Sequence, residues 1–169
     1  MSRAFVKDSD TPAGDTQPEL AISGHTNYVT PRGLRLLRER QAKVRAQRDA
    51  LKEGADALAQ QAELAALERE LRWLDVRTAG AIVVDPDKQP HDRVAFGAHV
   101  TVDSAEGERR WHIVGEDEAD AEHGLVSYVS PLAKALLGAR VGDEVNWTRP
   151  AGMLALEVLA IDYDKAPPE

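Results

Sequence analysis

Carboxylates at a glycine turn are the first residues whose chemistry the sequence suggests. Glu53 and Asp56 stand on either side of Gly54, three positions apart. Two such carboxylates can converge on one Mg²⁺ ion, which prefers oxygen ligands. The same residue types beside a glycine also serve as helix caps and solubilising groups. Both interpretations stay open, and the cap is the simpler one, so we predict no metal site at this turn.

A denser acidic cluster occupies the C-terminal half of the chain. Glu116, Asp117, Glu118 and Asp120 fall within five positions. By composition alone such a cluster is typical of a solvated loop between strands. Its charge would also suit contact with a basic partner surface.

Other reactive residue types form no recognisable site. The five histidines, at positions 25, 91, 99, 112 and 123, show no ligand spacing, and the chain has no cysteine. We therefore predict no metal or other cofactor. Ser130 precedes Pro131 and is better explained as a helix cap than as a nucleophile, because no histidine stands in a triad relation to it. No catalytic residue is predicted.

The element that must position these groups is a helical hairpin over residues 30–80. Leucines and a valine recur at heptad spacing on both sides of Gly54, which indicates two antiparallel arms. The seam residues are Leu34, Leu37, Val44 and Leu51 in the first arm and Leu64, Leu67, Leu71 and Leu74 in the second.

Helix-end signals mark the limits of both arms. Thr30 and Pro31 suit the start of the first arm, and Gly80 suits the end of the second arm. We expect Gly54 to adopt a left-handed C-cap conformation and Asp56 to cap the second helix. Each arm then has about 20 residues and a length of about 30 Å.

The first arm is basic and the second is acidic, and this difference in charge favours their pairing. A basic strip for nucleic acid is a weaker alternative, because aromatic residues are not interleaved and the formal net charge of the chain is −8.

Composition indicates the class of protein. The chain has 169 residues, 43% of them hydrophobic, and no apolar run long enough for a membrane span. We therefore expect a soluble cytoplasmic protein.

The remainder divides into a small sheet domain and polar connections. We predict a flexible tail over 1–29, a linker over 81–92, a domain over 93–163 and a tail over 164–169. Short alternating segments and a helix capped by Ser130 favour a mostly antiparallel sheet that packs one short helix. The fold class is therefore α+β.

Motifs at both ends of the ordered part resemble one family. Residues 113–120, 129–138, 141–145 and 150–152 match, in order and spacing, the Gre family of bacterial transcription elongation factors, and Thr30-Pro31-Arg32-Gly33 resembles its Thr-x-x-Gly opening. The resemblance implies a coiled-coil hairpin followed by an FKBP-like domain. It implies RNA polymerase as partner, nucleic acid contacted only through the polymerase complex, and a monomer.

In that family the globular domain grips the rim of the polymerase's secondary channel while the hairpin enters it. The resemblance thus implies partner contacts by the acidic cluster and by Ser130 and Pro131. The tip departs from the family pattern, since residues 53–61 lack the Asp-x-Ser-Glu-Asn-Ala-like motif of the cleaving relatives. The arms also look a turn or two shorter. We therefore expect weak or no stimulation of transcript cleavage.

Two alternative functions stay open at this point. The first is a short-hairpin Gre relative that acts as a polymerase-binding regulator or competitor. The second, less favoured, is a prolyl isomerase activity of the FKBP-like domain, whose few aromatic residues must also fill its core.

Overall fold

The computed structural model describes residues 17–54, 56 and 59–165. Predictions for residues before 17, for three tip residues and for residues after 165 lie outside this range. The helices and strands, in chain order, are β1 (Tyr28–Val29), α1 (Pro31–Glu53), α2 (Gln61–Ala79), β2 (Ile82–Val83), β3 (Ala98–Asp103), β4 (Arg109–Val114), β5 (Leu125–Ser127), α3 (Pro131–Leu136), β6 (Glu144–Arg149) and β7 (Gly152–Tyr163).

Helices α1 and α2 pack along the predicted leucine seam. The buried cluster of the hairpin comprises Val29, Leu37, Val44, Leu71 and Leu74, with Leu34 and Leu67 partly buried at its edge. Ion pairs join the basic arm to the acidic one, among them Arg40 to Glu70 at 2.7 Å and Lys52 to Glu68 at 2.9 Å. Exposed pairs contribute only about 0.2–1 kcal/mol each, so the apolar seam supplies most of the hairpin's stability.

The caps agree with the sequence at the base of the hairpin and differ at its tip. The Thr30 hydroxyl accepts from the Gly33 amide, as predicted. The left-handed conformation predicted for Gly54 is wrong, since its φ is −69° and its ψ 150°. Asp56 is not the N-cap of α2, which begins at Gln61 after Gln60. Gly54 is extended, and α2 starts five residues after Asp56.

Five strands form the sheet, in the order β5-β4-β3-β7-β6. The pairs are antiparallel except for β4 with β5, which is parallel, so the sheet is mixed. Helix α3 starts as predicted, with the Ser130 hydroxyl accepting from the Ala133 amide, and it buries Leu132 and Leu136 against the sheet. The α+β class and the order of the two parts are confirmed.

The segments on either side of the hairpin need correction. Tyr28 and Val29 were placed in a flexible tail, yet they pair in parallel with Ile82 and Val83 of the predicted linker. Upstream of them, the Trp73 indole of α2 donates to the Ala21 carbonyl at 3.0 Å. These segments gain order from tertiary partners that their own composition does not reveal. Within the described ranges, no helix has the apolar length needed to cross a bilayer.

Candidate functional site

The base of the hairpin is fastened to the sheet domain by one buried carboxylate. Glu118 lies in a 3₁₀ turn after β4, and its side chain is only 3% exposed. The Thr30 hydroxyl donates to its Oε2 at 2.5 Å, and the Arg32 guanidinium donates to its Oε1 at 2.9 Å. Thr30 accepts from the Gly33 amide at the same time, so its hydroxyl links the first turn of α1 to the acidic loop.

Two glycines permit this close approach. A Cβ on Gly33 would lie 2.7 Å from the Glu118 Oε2, and a Cβ on Gly115 would collide with the Tyr28 carbonyl oxygen. The Thr-x-x-Gly motif therefore has a physical explanation in this fold. Thr30 caps the helix and binds the carboxylate, while Gly33 leaves room for that carboxylate.

A buried arginine of α2 makes the second connection. The side chain of Arg77 is 3% exposed, and its Nε donates to the Asp117 carboxylate at 2.6 Å. Its Nη2 donates to the Asn27 side-chain oxygen at 2.7 Å and lies 4.0 Å from the Glu116 carboxylate. Both helices are thus tied by charged hydrogen bonds to the same 3₁₀ turn, which restricts the angle between rod and sheet domain.

An aromatic cluster adds to this joint. Tyr28 lies 5.6 Å from Tyr128 and 6.0 Å from Phe96, measured between ring centroids. The Tyr128 hydroxyl donates to the Thr26 carbonyl at 2.6 Å, and burial raises the pKa of that phenol. The segment leading into α1 is therefore held against the sheet domain on its apolar side as well.

These contacts change the interpretation of the acidic cluster. Glu118 was expected to face a partner, but its carboxylate is buried against the hairpin. Asp117 also turns inward, with 17% of its side chain exposed although its backbone is open to solvent. Asp120 alone of the four is turned away from the hairpin. Its Oδ2 lies 2.7 Å from the Nδ1 of His123, and this hydrogen bond lowers the pKa of the Asp120 carboxyl group.

The two other residues assigned to partner binding border an open apolar groove of about 510 Å³. Ser130 and Pro131 form one side of it, and the turn at Pro150 and Ala151 forms another. Trp111 and Trp147 line its floor and meet edge to face, with ring centroids 6.3 Å apart. The structure thus brings the predicted Ser-Pro pair to a concave surface that can accept an apolar partner segment.

The predicted tip residues lie far from this groove, at the other end of the rod. Glu53, Gly54 and Asp56 are exposed; the Asp56 carboxylate accepts a long hydrogen bond, 3.4 Å, from the Ala59 amide, and the Asp56 backbone carbonyl accepts from the Gln60 amide at 3.3 Å. Within the described part of the chain, no third histidine or carboxylate joins Glu53 and Asp56 at metal-ligand distance. Both carboxylates of the tip are thus exposed to solvent.

Sequence reasoning missed several residues of the joint. No role was predicted for Arg77, and Asn27 falls in the predicted tail over 1–29. Spacing along the chain does not bring together His99 and His112, which lie opposite each other on β3 and β4. The hairpin turn between those strands is short enough that counting outward from it would have paired them.

The architecture defines a two-part protein in which a helical rod is fixed on a small sheet domain. Residues 89–163 match the family described as "Transcription elongation factor, GreA/GreB, C-term". The transcription elongation factor GreA of Nautilia profundicola is 44% identical over 117 residues, which cover 68% of this chain and 72% of that protein. GreB of Neisseria meningitidis is 38% identical over 115 residues, covering 67% of this chain and 71% of GreB.

The chain therefore belongs to the GreA/GreB family of bacterial transcription elongation factors, and the resemblance stated from its motifs is confirmed. A crystal structure of the GreA factor homolog 1 (Gfh1) protein of Thermus thermophilus is similar over 82% of this chain and 99% of that one, with 23% identity and a TM-score of 0.39. The assignment to the family rests on the sequence relatives.

Proposed function

We propose that this chain binds RNA polymerase at its secondary channel and modulates elongation, with weak or no stimulation of transcript cleavage. The sheet domain supplies the affinity, and the hairpin points into the channel. The observation that carries the proposal is the joint at Glu118 and Arg77, because a rod fixed to a docking domain has a defined direction. The family membership and the names of the relatives as transcription elongation factors support the identity of the partner.

The groove beside Ser130 and Pro131 is the best docking surface for the polymerase. It is open, apolar and formed by elements whose backbone is held in the sheet or capped in α3. An apolar polymerase segment seated there would bury the exposed faces of Pro131 and Trp147 and gain about 25 cal/mol per Å² of apolar surface removed from water. Asp120, on the neighbouring turn, provides a charge at the rim that favours a basic partner.

The tip supports the proposal that the chain stimulates transcript cleavage weakly or not at all. Mg²⁺ coordination requires oxygens at about 2.1 Å in near-octahedral geometry. Glu53 and Asp56 are solvated, they have no additional ligand among the described residues, and α1 and α2 have 23 and 19 residues. A rod two turns shorter than that of a cleaving relative would end about 11 Å away from the metal. Such a tip can occupy the channel without completing a metal site.

A charged substitution at an exposed residue of the groove tests whether the groove binds polymerase, and it leaves the core unchanged. Ala151 is exposed in the turn between β6 and β7 and lines the groove. Ala151→Glu should weaken polymerase binding at least about tenfold, or about 1.4 kcal/mol, because the new carboxylate would be desolvated without a partner. Ala105→Glu is the matched control, in an exposed turn between β3 and β4. Equal affinity of the two variants in a titration with polymerase would remove the groove from the interface.

A further inference from the structure

Strand register places two histidines side by side on the surface of the sheet domain. His99 of β3 pairs with His112 of β4, and their rings stack with centroids 3.8 Å apart and an interplanar angle of 19°. Both side chains are largely covered. Neighbouring imidazoles offer two nitrogen ligands from a rigid pair of strands, which fixes their separation independently of any loop.

A carboxylate completes the group from a third direction. Asp164 directly follows β7, and its Oδ1 lies 2.9 Å from the Nε2 of His99, while its Oδ2 lies 4.0 Å from the Nε2 of His112. One ligand atom from each of the three residues lies within 4.8 Å of the others, and among the described residues this is the one such group. We propose that His99, His112 and Asp164 form a binding site for a divalent transition-metal ion, with Zn²⁺ as the reference ion.

The ligand types and distances fit zinc better than magnesium. Two imidazole nitrogens and one carboxylate oxygen are ligands that zinc accepts, with bonds of about 2.0–2.2 Å. In a tetrahedron of that size neighbouring ligand atoms lie about 3.4 Å apart. The Nε2 of His99 lies 2.9 Å from one Asp164 oxygen and the Nε2 of His112 lies 4.0 Å from the other, and the imidazole rings must rotate out of their stacked arrangement for both nitrogens to point at one ion. Asp164 can adjust as well, because its side chain is 66% exposed.

An open groove gives an ion access to the site. His112 and Asp164 border a groove of about 390 Å³ that opens between the sheet domain and the start of α1, and this gives room for a water as fourth ligand. Of the residues that the structure describes, three cations border the same groove: Arg32 pairs with Glu118, Arg35 lies 3.8 Å from Glu39, and Lys165 is the third.

The consequence of binding is mechanical. An ion held by these residues would join the end of β7 to the β3–β4 pair, close to the joint that orients the hairpin. Binding only to the folded chain raises its stability by mass action.

Calorimetric titration of the full chain with ZnCl₂ tests the site. We expect one Zn²⁺ per chain, no comparable heat with MgCl₂, and a rise in Tm of about 5–10 °C at a free Zn²⁺ concentration near 100 times Kd. Co²⁺ should give the visible d–d bands of a tetrahedral site. Asp164→Asn and His99→Gln should each weaken Zn²⁺ binding on the order of 100-fold through loss of a ligand.

The matched control is His123→Asn, which removes an exposed histidine paired with a carboxylate elsewhere on the domain. It should bind Zn²⁺ like the parent. Absence of saturable Zn²⁺ binding by the parent, parental affinity in either ligand variant, or an equal loss in His123→Asn would overturn the proposal. Asp164→Asn alters an exposed side chain after the last strand, so it remains decisive even if His99→Gln does not fold.

Discussion

Removal of the Glu118 carboxylate should loosen the hairpin from the sheet domain. In Glu118→Ala the Thr30 hydroxyl loses a buried charged acceptor, which contributes about 1.5–3 kcal/mol. The same substitution also removes the ion pair with Arg32. That loss costs less, about 0.2–1 kcal/mol, because the Arg32 side chain is 52% exposed and water replaces the contact. The free energy of unfolding should therefore fall by about 2–4 kcal/mol, and Tm by roughly 5–15 °C for a chain of this size.

Thermal unfolding followed by circular dichroism measures this change, and limited proteolysis around residue 30 reports whether the hairpin base opens. Glu118→Gln retains the shape and one acceptor oxygen for Thr30, so its Tm should lie between those of the parent and Glu118→Ala. The matched control is Glu122→Ala, an exposed acid of the next 3₁₀ turn, which should change stability by less than about 0.5 kcal/mol. A Tm for Glu118→Ala within about 1 °C of the parent would refute the assigned role of this carboxylate.

Further substitutions test the hairpin and its caps. Leu74→Ala removes a side chain that is fully buried in the seam and should lower the free energy of unfolding by about 2–5 kcal/mol in a denaturant titration. Leu67→Ala, at the partly buried edge, should lower it by less. Equal stability of Leu74→Ala and the parent would exclude this packing. Gly33→Ala should destabilise the chain although alanine favours helices, because its Cβ would meet the Glu118 carboxylate; a stabilised variant would contradict the close approach. Gln41→Ala should change the free energy of unfolding by less than about 1 kcal/mol, because the hydrogen bond from Gln41 to Asp75 is exposed; a larger loss would contradict a minor role for this hydrogen bond between the arms.

Local patterns predicted the elements whose signals are contained in their own sequence. The heptads of the hairpin, the caps at Thr30 and Ser130 and the alternation around Trp111 and Ile113 all depend on neighbours a few positions away. Helices α1 and α3 accordingly start at their predicted caps, and α2 ends next to Gly80 as predicted.

Features created by distant contacts could not be read in the same way. Arg77 looks like a surface residue until the fold brings Asp117, 40 positions away, against it. Glu118 looks like part of a solvated loop until the first turn of α1 covers it. The β1–β2 pair is two residues long, too short for alternation to show. The resemblance to the Gre family gave the order of the parts and the partner, but it did not indicate which acids face inward.

Transcript cleavage by backtracked elongation complexes is the measurement that tests the proposed function most directly. The purified chain is added to stalled RNA polymerase complexes with Mg²⁺, and binding and RNA length are followed together. We expect saturable binding with little or no shortening of the RNA. Failure to bind would contradict the proposed partner. Efficient shortening that is abolished by Glu53→Ala with Asp56→Ala, while binding is retained, would contradict the interpretation of the tip and make those two carboxylates part of the cleavage machinery.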